Sequence, residues 1–184
     1  MAEKGKDTRI PKLYHAIDTP QYKKRDMSPV IIVAAGVAIA LGAFGGLMTP
    51  IDRWYHDLRK PAWQPPNWLF GPAWTVILGL AAWSAVLAWR AAPDAAARHA
   101  VIILFAVNAV CHALWSPLFF RLRRPDWALA EVVFLWCSLV ALVVGLWPIS
   151  HHASLLIMPY LLWVSFAAWL NREIVRLNRP FGRP

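Results

Sequence analysis

The chain has 184 residues, of which 59% are hydrophobic and only 16% charged, and its net charge is +9. Soluble domains carry about a quarter of charged residues, so this composition excludes an ordinary soluble enzyme. The basic residues lie at the ends of long uncharged segments, where Lys and Arg face lipid headgroups, and this placement argues against nucleic-acid binding.

Five apolar segments predict an all-α membrane protein with a five-transmembrane-helix bundle. A spanning helix needs roughly 20 apolar residues. The segments cover about residues 30–48, 68–89, 100–120, 127–147 and 154–171. They leave little mass outside the membrane and predict one membrane domain over 28–178. We expect a basic, poorly ordered tail at 1–27 and a short tail at 179–184.

Five spans place the N-terminus on one side of the membrane and the first loop and the C-terminus on the other. Counting Lys and Arg near the spans gives seven on the N-terminal side and ten on the opposite side. Cytoplasmic loops carry an excess of these residues, so the count favours a cytoplasmic first loop and C-terminus. The cell envelope of a bacterium is the expected location.

The first loop, 49–66, and the start of the second span are rich in Trp and Pro. Residues 60–74 contain three Trp, one Phe and four Pro. Proline stiffens the backbone and indole offers a wide apolar face, so this stretch predicts an aromatic wall at the mouth of the bundle that suits a flat, apolar ligand. The loop is long enough for a lid with a short helix, or for a solvated turn with surface ion pairs.

Polar residues inside the spans allow two interpretations. Asn108 and His112 share a face of the third span, where they either bond to neighbouring helices or border a cavity. Glu131 is the one carboxylate within a span, which indicates a functional role or, near the end of the span, either access to the interface or a side chain that stays protonated. His112 has no second ligand at metal-binding spacing, so we expect no metal site, and no catalytic motif appears.

An aromatic face in the last span completes the pattern. Trp163, Phe166 and Ala167 recur at helical spacing, which indicates either packing or, together with the Trp-rich segment, a shared cavity.

Several ordered motifs resemble those of the translocator protein family, also called the tryptophan-rich sensory protein or peripheral benzodiazepine receptor family. The resemblance covers about residues 30–178. The motifs are Trp63-x-Pro65-Pro66-x-x-x-Phe70-x-x-x-Trp74, Trp115-x-Pro117-x-Phe119-Phe120, Trp127-Ala-Leu, and Pro159-Tyr160-x-x-Trp163-x-x-Phe166-Ala167-x-x-Leu170-Asn171.

The resemblance implies a five-helix bundle, commonly a homodimer, that binds porphyrin, haem or related tetrapyrroles, and synthetic benzodiazepine-type ligands, between its helices. No cofactor is required. Cholesterol binding, known in some members, lacks its motif here because Arg172 and Glu173 follow Asn171. His112 stands where the family usually has Asn. The predicted ligand-binding residues are Tyr55, Trp63, Pro65, Pro66, Phe70, Trp74, Asn108, His112, Trp163, Phe166 and Ala167.

The functional hypothesis is a tetrapyrrole-binding sensor, regulator or carrier in tetrapyrrole metabolism and stress response. One alternative is an enzyme that promotes light- and oxygen-dependent porphyrin breakdown, with Trp63, Trp74 and Trp163 as electron donors. Another is a small-molecule transporter, against which stand the small size and the lack of an internal repeat. Axial ligation of haem iron by His112 is a further option at the same site.

Overall fold

The computed structural model of the chain describes residues 28–181. The predicted N-terminal tail at 1–27 and residues 182–184 lie outside this range. Five of the helices are long and apolar enough to cross a membrane, which confirms the predicted fold class. The helices are α1 (Ser28–Leu47), α2 (Arg53–Asp57), α3 (Asn67–Ala91), α4 (Ala95–Ser116), α5 (Pro125–Leu146) and α6 (His151–Asn178).

Local sequence explains where several helices begin. Asp94 caps α4 by accepting a hydrogen bond from the Ala97 N–H at 2.8 Å, and Ser150 caps α6 through the Ala153 N–H at 3.2 Å. These side chains satisfy backbone donors that the first helical turn leaves free. Pro125 opens α5, where its missing N–H costs nothing.

The proline near the end of the third span changes the helix type. A π-helical turn follows α4 at Pro117–Arg121, and the Leu122 N–H donates to the Pro117 carbonyl at 2.9 Å. Proline has no N–H to continue the α-helical ladder, so the wider turn accommodates the break. Arg123 then adopts a left-handed backbone with φ of 52°, which turns the chain sharply into α5.

The five long helices form a ring in which α1 packs on α3, α3 on α6, α6 on α5, α5 on α4, and α4 again on α1. The main apolar core lies between α3, α4, α5 and α6. A second cluster at the first-loop end joins α2 to the π-helical turn, α5 and α6. Helix α1 contributes nothing to either core cluster, so its position depends on contacts with α3 and α4.

The first loop, the α4–α5 connection and the end of α6 meet at one end of the bundle. Arg123 binds Asp52 at 3.0 Å, and the Asn178 amide donates to the Arg59 carbonyl at 2.8 Å. This is the grouping that the five-span topology predicts. Helix α6 continues seven residues past the predicted end of the fifth span, because its last two turns pack against the loop.

Candidate functional site

A cavity of about 970 Å³ lies between α1 and the rest of the bundle beneath the first loop. On the α4, α5 and α6 side, the lining residues belong to the halves of these helices that lie next to the loop. Apolar and aromatic side chains dominate the wall. They include Leu41, Phe70, Trp74, Leu78, Trp115, Phe119, Phe120, Val132, Leu135, Trp163, Val164, Ala167, Leu170 and Ile174.

The first loop closes one end of the cavity through the short helix α2. Tyr55 is buried there, its hydroxyl donates to Asn67 Oδ1 at 3.0 Å, and Gln64 Nε2 donates to the same hydroxyl at 3.2 Å. Burial raises the pKa of the Tyr55 phenol, so it stays protonated and able to donate. The loop therefore forms the lid with a short helix, one of the two predicted forms.

Two clips fasten this lid to the helices below it. Asp52 caps α2 by accepting the Tyr55 N–H at 3.1 Å and also pairs with Arg123. Asn178 at the end of α6 accepts the Arg59 N–H and donates to the Arg59 carbonyl, both at 2.8 Å. Together the clips join the lid to two separate elements.

Lys60 adds a positive charge to the lid. Its ammonium group donates to the Tyr55 carbonyl and lies 4.1 Å from the centre of the Tyr55 ring. Desolvation lowers the pKa of this ammonium, and the nearby Asp57 carboxylate opposes the shift more weakly.

Indole rings from different helices form the aromatic wall. The rings of Trp74 and Trp163 lie 6.3 Å apart at 84°, and Phe70 meets Trp163 edge-on at 5.7 Å. The Nε1–H groups of Trp115 and Trp163 are buried without a hydrogen-bond partner among the described residues. Buried donors are normally paired, so these two enclosed N–H groups are exceptions within the wall.

His112 borders the same cavity. Its Nδ1 forms a hydrogen bond with the Tyr160 hydroxyl at 2.7 Å, and its ring lies edge-on to Trp74 at 4.9 Å. Both interpretations of His112 apply at once, because the residue bonds to a neighbouring helix through one nitrogen and borders the cavity with the ring.

The structure separates the predicted site residues into two groups. The residues that line the cavity are Tyr55, Phe70, Trp74, His112, Trp163 and Ala167. Those that do not line it are Trp63, Pro65, Pro66, Asn108 and Phe166. For this second group, direct contact with a ligand stays a prediction.

The predicted residues that do not line the cavity lie at identifiable places in the fold. Trp63 is 42% exposed and packs against Phe166 and Trp169 on the outside of the lid. Pro65 and Pro66 precede α3, and Pro66 sets the extended backbone from which that helix starts. These residues support the wall from behind.

Asn108 lies one turn along α4 from His112 and does not line the cavity. Its amide donates to Ser138 Oγ on α5 at 2.9 Å, and the side chain is buried. The shared helical face placed Asn108 beside His112 correctly, but only His112 lines the cavity, and Asn108 forms the predicted hydrogen bond to a neighbouring helix.

Sequence reasoning missed part of the lining and both lid clips. Trp115, Phe119 and Phe120 stood in a recognised motif, which was the available signal for their role. Gln64 carried no signal beyond its place in the Trp-rich stretch. Asn178 and Arg123 contact the lid only because the chain folds back, and no local pattern marks them.

The residues 28–181 contain no group of three or more His, Cys, Asp and Glu side chains that could hold a metal ion. The buried chemistry of the site is therefore that of aromatic faces, indole donors and one imidazole.

Comparison with known proteins agrees with this architecture. The profile of the TspO/MBR family matches residues 33–177. The tryptophan-rich protein TspO of Chlorobaculum tepidum is 34% identical over 150 residues, which cover 80% of this chain and 95% of that protein. Protein CrtK of Rhodobacter capsulatus is 35% identical over 153 residues, covering 83% and 95%. The translocator protein of Homo sapiens is 30% identical over 158 residues, covering 83% and 94%. Because both the profile and these relatives match most of the chain, it belongs to the TspO/MBR family of integral, multi-pass membrane proteins.

Proposed function

We propose that this protein binds a tetrapyrrole, such as a porphyrin or haem, in the cavity beneath the first loop and acts as a sensor, regulator or carrier for it. The observation that carries the proposal is the cavity itself, whose aromatic wall comes from non-adjacent parts of the chain. Its volume lies at the upper end of the range for small-molecule sites, roughly 300–1,000 Å³. A large, flat and mostly apolar molecule fits this wall.

The polar groups of the cavity suit the substituents of a tetrapyrrole. The unpaired indole N–H groups of Trp115 and Trp163 are enclosed by protein atoms, so they would donate to carboxylate or carbonyl oxygens only after a shift of their rings. Gln64 and Tyr55 add polar groups at the lid end. The apolar macrocycle would then stack within the wall while its acidic edge meets these donors.

The names of two relatives support the role beyond binding. One is named tryptophan-rich sensory protein and another translocator protein. A sensor and a carrier both need a reversible site. The lid is held by one ion pair, a few hydrogen bonds and the second apolar cluster, so it can open while the main core between α3, α4, α5 and α6 stays packed.

The test is titration of the purified protein with protoporphyrin IX, followed by quenching of tryptophan fluorescence. Ala167→Phe places a ring into the cavity, and we expect affinity to fall by roughly tenfold or more, about 1.4 kcal/mol. Trp68→Ala is the matched control, because Trp68 is 70% exposed on α3 and does not line the cavity. Equal affinity in Ala167→Phe and the unsubstituted protein would contradict the proposed site.

A second function, light-dependent porphyrin breakdown, is favoured by the position of two indoles. Trp74 and Trp163 both line the cavity, so a bound porphyrin excited by light would have electron donors beside it. Irradiation of bound protoporphyrin in air should then bleach it faster than irradiation without protein. A Trp74→Phe, Trp163→Phe double variant should remove the acceleration, and an unchanged bleaching rate with protein present would exclude the enzymatic function.

A further inference from the structure

We infer that His112 is an axial ligand for the metal of a metalloporphyrin, so that the cavity selects metal-bearing tetrapyrroles over free-base ones. This inference rests on the proposed tetrapyrrole site and names the ligand class within it. Three features of His112 carry it: the free ring nitrogen, the partner on the other nitrogen and the lack of further metal ligands nearby.

The first feature is the accessible nitrogen. Nδ1 forms a hydrogen bond with the Tyr160 hydroxyl at 2.7 Å, whereas Nε2 has no hydrogen-bond partner among the described residues. Because the imidazole borders the cavity, Nε2 is the nitrogen that a molecule in the cavity can reach. A neutral imidazole nitrogen is a common axial ligand of haem iron.

The second feature is the partner that orients the imidazole. Metal-ligating histidines almost always donate their other ring N–H to an oxygen, which sets the tautomer and the ring direction. Tyr160 is only 2% exposed and presents its hydroxyl oxygen to Nδ1. The imidazole tautomer decides which group donates in this hydrogen bond. In the tautomer with the proton on Nδ1, that proton is donated to the Tyr160 oxygen and Nε2 carries the lone pair that a metal requires, so binding of a metal would select this tautomer.

Aromatic neighbours restrain the ring further. Trp74 lies edge-on at 4.9 Å and Tyr160 at 5.9 Å, with interplanar angles of 74° and 82°. An imidazole held on two sides and by one hydrogen bond loses little conformational freedom when it binds a metal. Tyr160 is thus a positioning residue for His112.

The third feature decides between a bare ion and a metal already held in a macrocycle. A bare metal ion needs several protein ligands, and within residues 28–181 no cluster of suitable side chains exists. A metalloporphyrin brings its own equatorial nitrogens and requires only an axial ligand. One oriented imidazole on an aromatic cavity wall matches that requirement.

The experiment compares zinc protoporphyrin with metal-free protoporphyrin IX, since the two share one outline and differ in the metal. Binding is measured by fluorescence quenching, and coordination by the shift of the zinc porphyrin absorption bands that an axial nitrogen causes. We expect the unsubstituted protein to bind zinc protoporphyrin more tightly and to shift its bands.

Two substitutions of His112 remove the imidazole but leave side chains of different size and polarity. In His112→Ala and His112→Asn, affinity for zinc protoporphyrin should fall by roughly tenfold or more, and the band shift should disappear. Affinity for metal-free protoporphyrin should fall much less, because that ligand loses only a wall contact with His112 and no bond to a metal. Tyr160→Phe should keep the shift but weaken zinc protoporphyrin binding selectively.

The outcomes separate this inference from the proposed function. Equal affinity for both porphyrins, or zinc porphyrin bands that do not shift in the unsubstituted protein, would overturn the role of His112 and leave tetrapyrrole binding in place. An equal loss of both porphyrins in folded His112 variants would also overturn it, because His112 would then be a wall residue only. Failure of the unsubstituted protein to bind either porphyrin would overturn both proposals.

Discussion

At the scale of single residues, Trp74 and Trp163 show how one side chain serves both helix packing and the cavity wall. Each indole contacts the other edge-on and borders the cavity with the rest of its surface. A buried aromatic contact contributes about 0.5–1.5 kcal/mol beyond its area. Trp163 also holds a buried N–H without a partner among the described residues.

We therefore expect Trp74→Ala and Trp163→Ala each to weaken porphyrin binding by roughly tenfold, about 1–2 kcal/mol. Fluorescence of the porphyrin itself should follow the titration, because each variant loses a tryptophan reporter. Trp68→Ala again serves as the exposed control. Unchanged affinity in both cavity variants would refute the aromatic wall as the binding surface.

Glu131 illustrates a buried polar residue outside the site. Its side chain is buried in α5, neither carboxyl oxygen has a partner among the described residues, and it does not line the cavity. An unsatisfied buried polar group costs about 1–3 kcal/mol of stability. Its burial, near the start of the fourth span, excludes the interpretation in which the carboxylate reaches the interface.

We expect Glu131→Gln to leave porphyrin affinity within about twofold, since the residue makes no contact with the cavity. Glu131→Met, which removes the unsatisfied oxygens at similar size, should raise the free energy of unfolding by about 1 kcal/mol or more. Thermal unfolding in detergent measures the second effect. A large loss of affinity in folded Glu131→Gln would mean that the carboxyl acts on the site.

At the scale of elements, the lid is a short helix that depends on its attachments. Helix α2 has only five residues, and an isolated helix of this length is not stable. Asp52 caps it and links it to Arg123, while Asn178 holds the loop near Arg59. The lid is thus a small unit that can detach while the transmembrane helices keep their packing.

The pKa of Asp52 lies below its ordinary value of 3.8, because its carboxylate accepts the Tyr55 N–H and pairs with Arg123. A carboxyl whose pKa is lower in the closed state stabilises that state above its ordinary pKa and stops doing so as the pH falls through the lowered value. The contribution of Asp52 to lid closure should be constant above about pH 5 and decline below about pH 4.

Dissociation of bound protoporphyrin, measured by stopped flow, should report this pH dependence. Asp52→Asn should release the ligand faster than the unsubstituted protein at pH 7, and the two rates should converge as the pH falls below about 4. Asp57→Asn is the matched control, because the Asp57–Arg53 pair is exposed and outside the clips. Equal rates for Asp52→Asn and the unsubstituted protein at pH 7 would exclude the clip as a lid restraint.

At the scale of the whole molecule, the five long helices contribute unequally to the core. Four helices share the main core, and α1 closes the ring over the cavity with apolar side chains exposed on its outer face. The lid, the α4–α5 connection and the end of α6 gather at one end of the ring, together with most of the described basic residues. The excess of Lys and Arg counted from the sequence therefore lies at this end of the bundle.

We expect this end to face the cytoplasm, because Lys and Arg near the spans are retained there. A fluorescent protein fused to the C-terminus should then fold and fluoresce, and an enzyme that is active only outside the cytoplasm should be inactive in the same position. Fusions in the α3–α4 connection near Pro93 should give the reverse pattern. Fluorescence from the fusion near Pro93, and none from the C-terminal fusion, would show the opposite orientation in the membrane.

Hydropathy alone determined the number of spans and their approximate ends, because crossing a membrane requires a long uncharged helix whatever its neighbours are. Local chemistry also indicated a short helix in the first loop, as one of two predicted forms. The cavity residues on α3 and α6 were predictable because helical spacing places Trp163 and Ala167 on one face.

Only the tertiary structure decided which residues of a shared face meet the cavity and which meet another helix. Asn108 and His112 are one turn apart, yet one bonds to Ser138 and the other borders the cavity. The lid clips of Asp52 with Arg123 and of Asn178 with Arg59 join residues far apart in the chain. Spacing within a helix determines direction around its axis, whereas the depth of a cavity and contacts between distant segments arise from how the helices pack against each other.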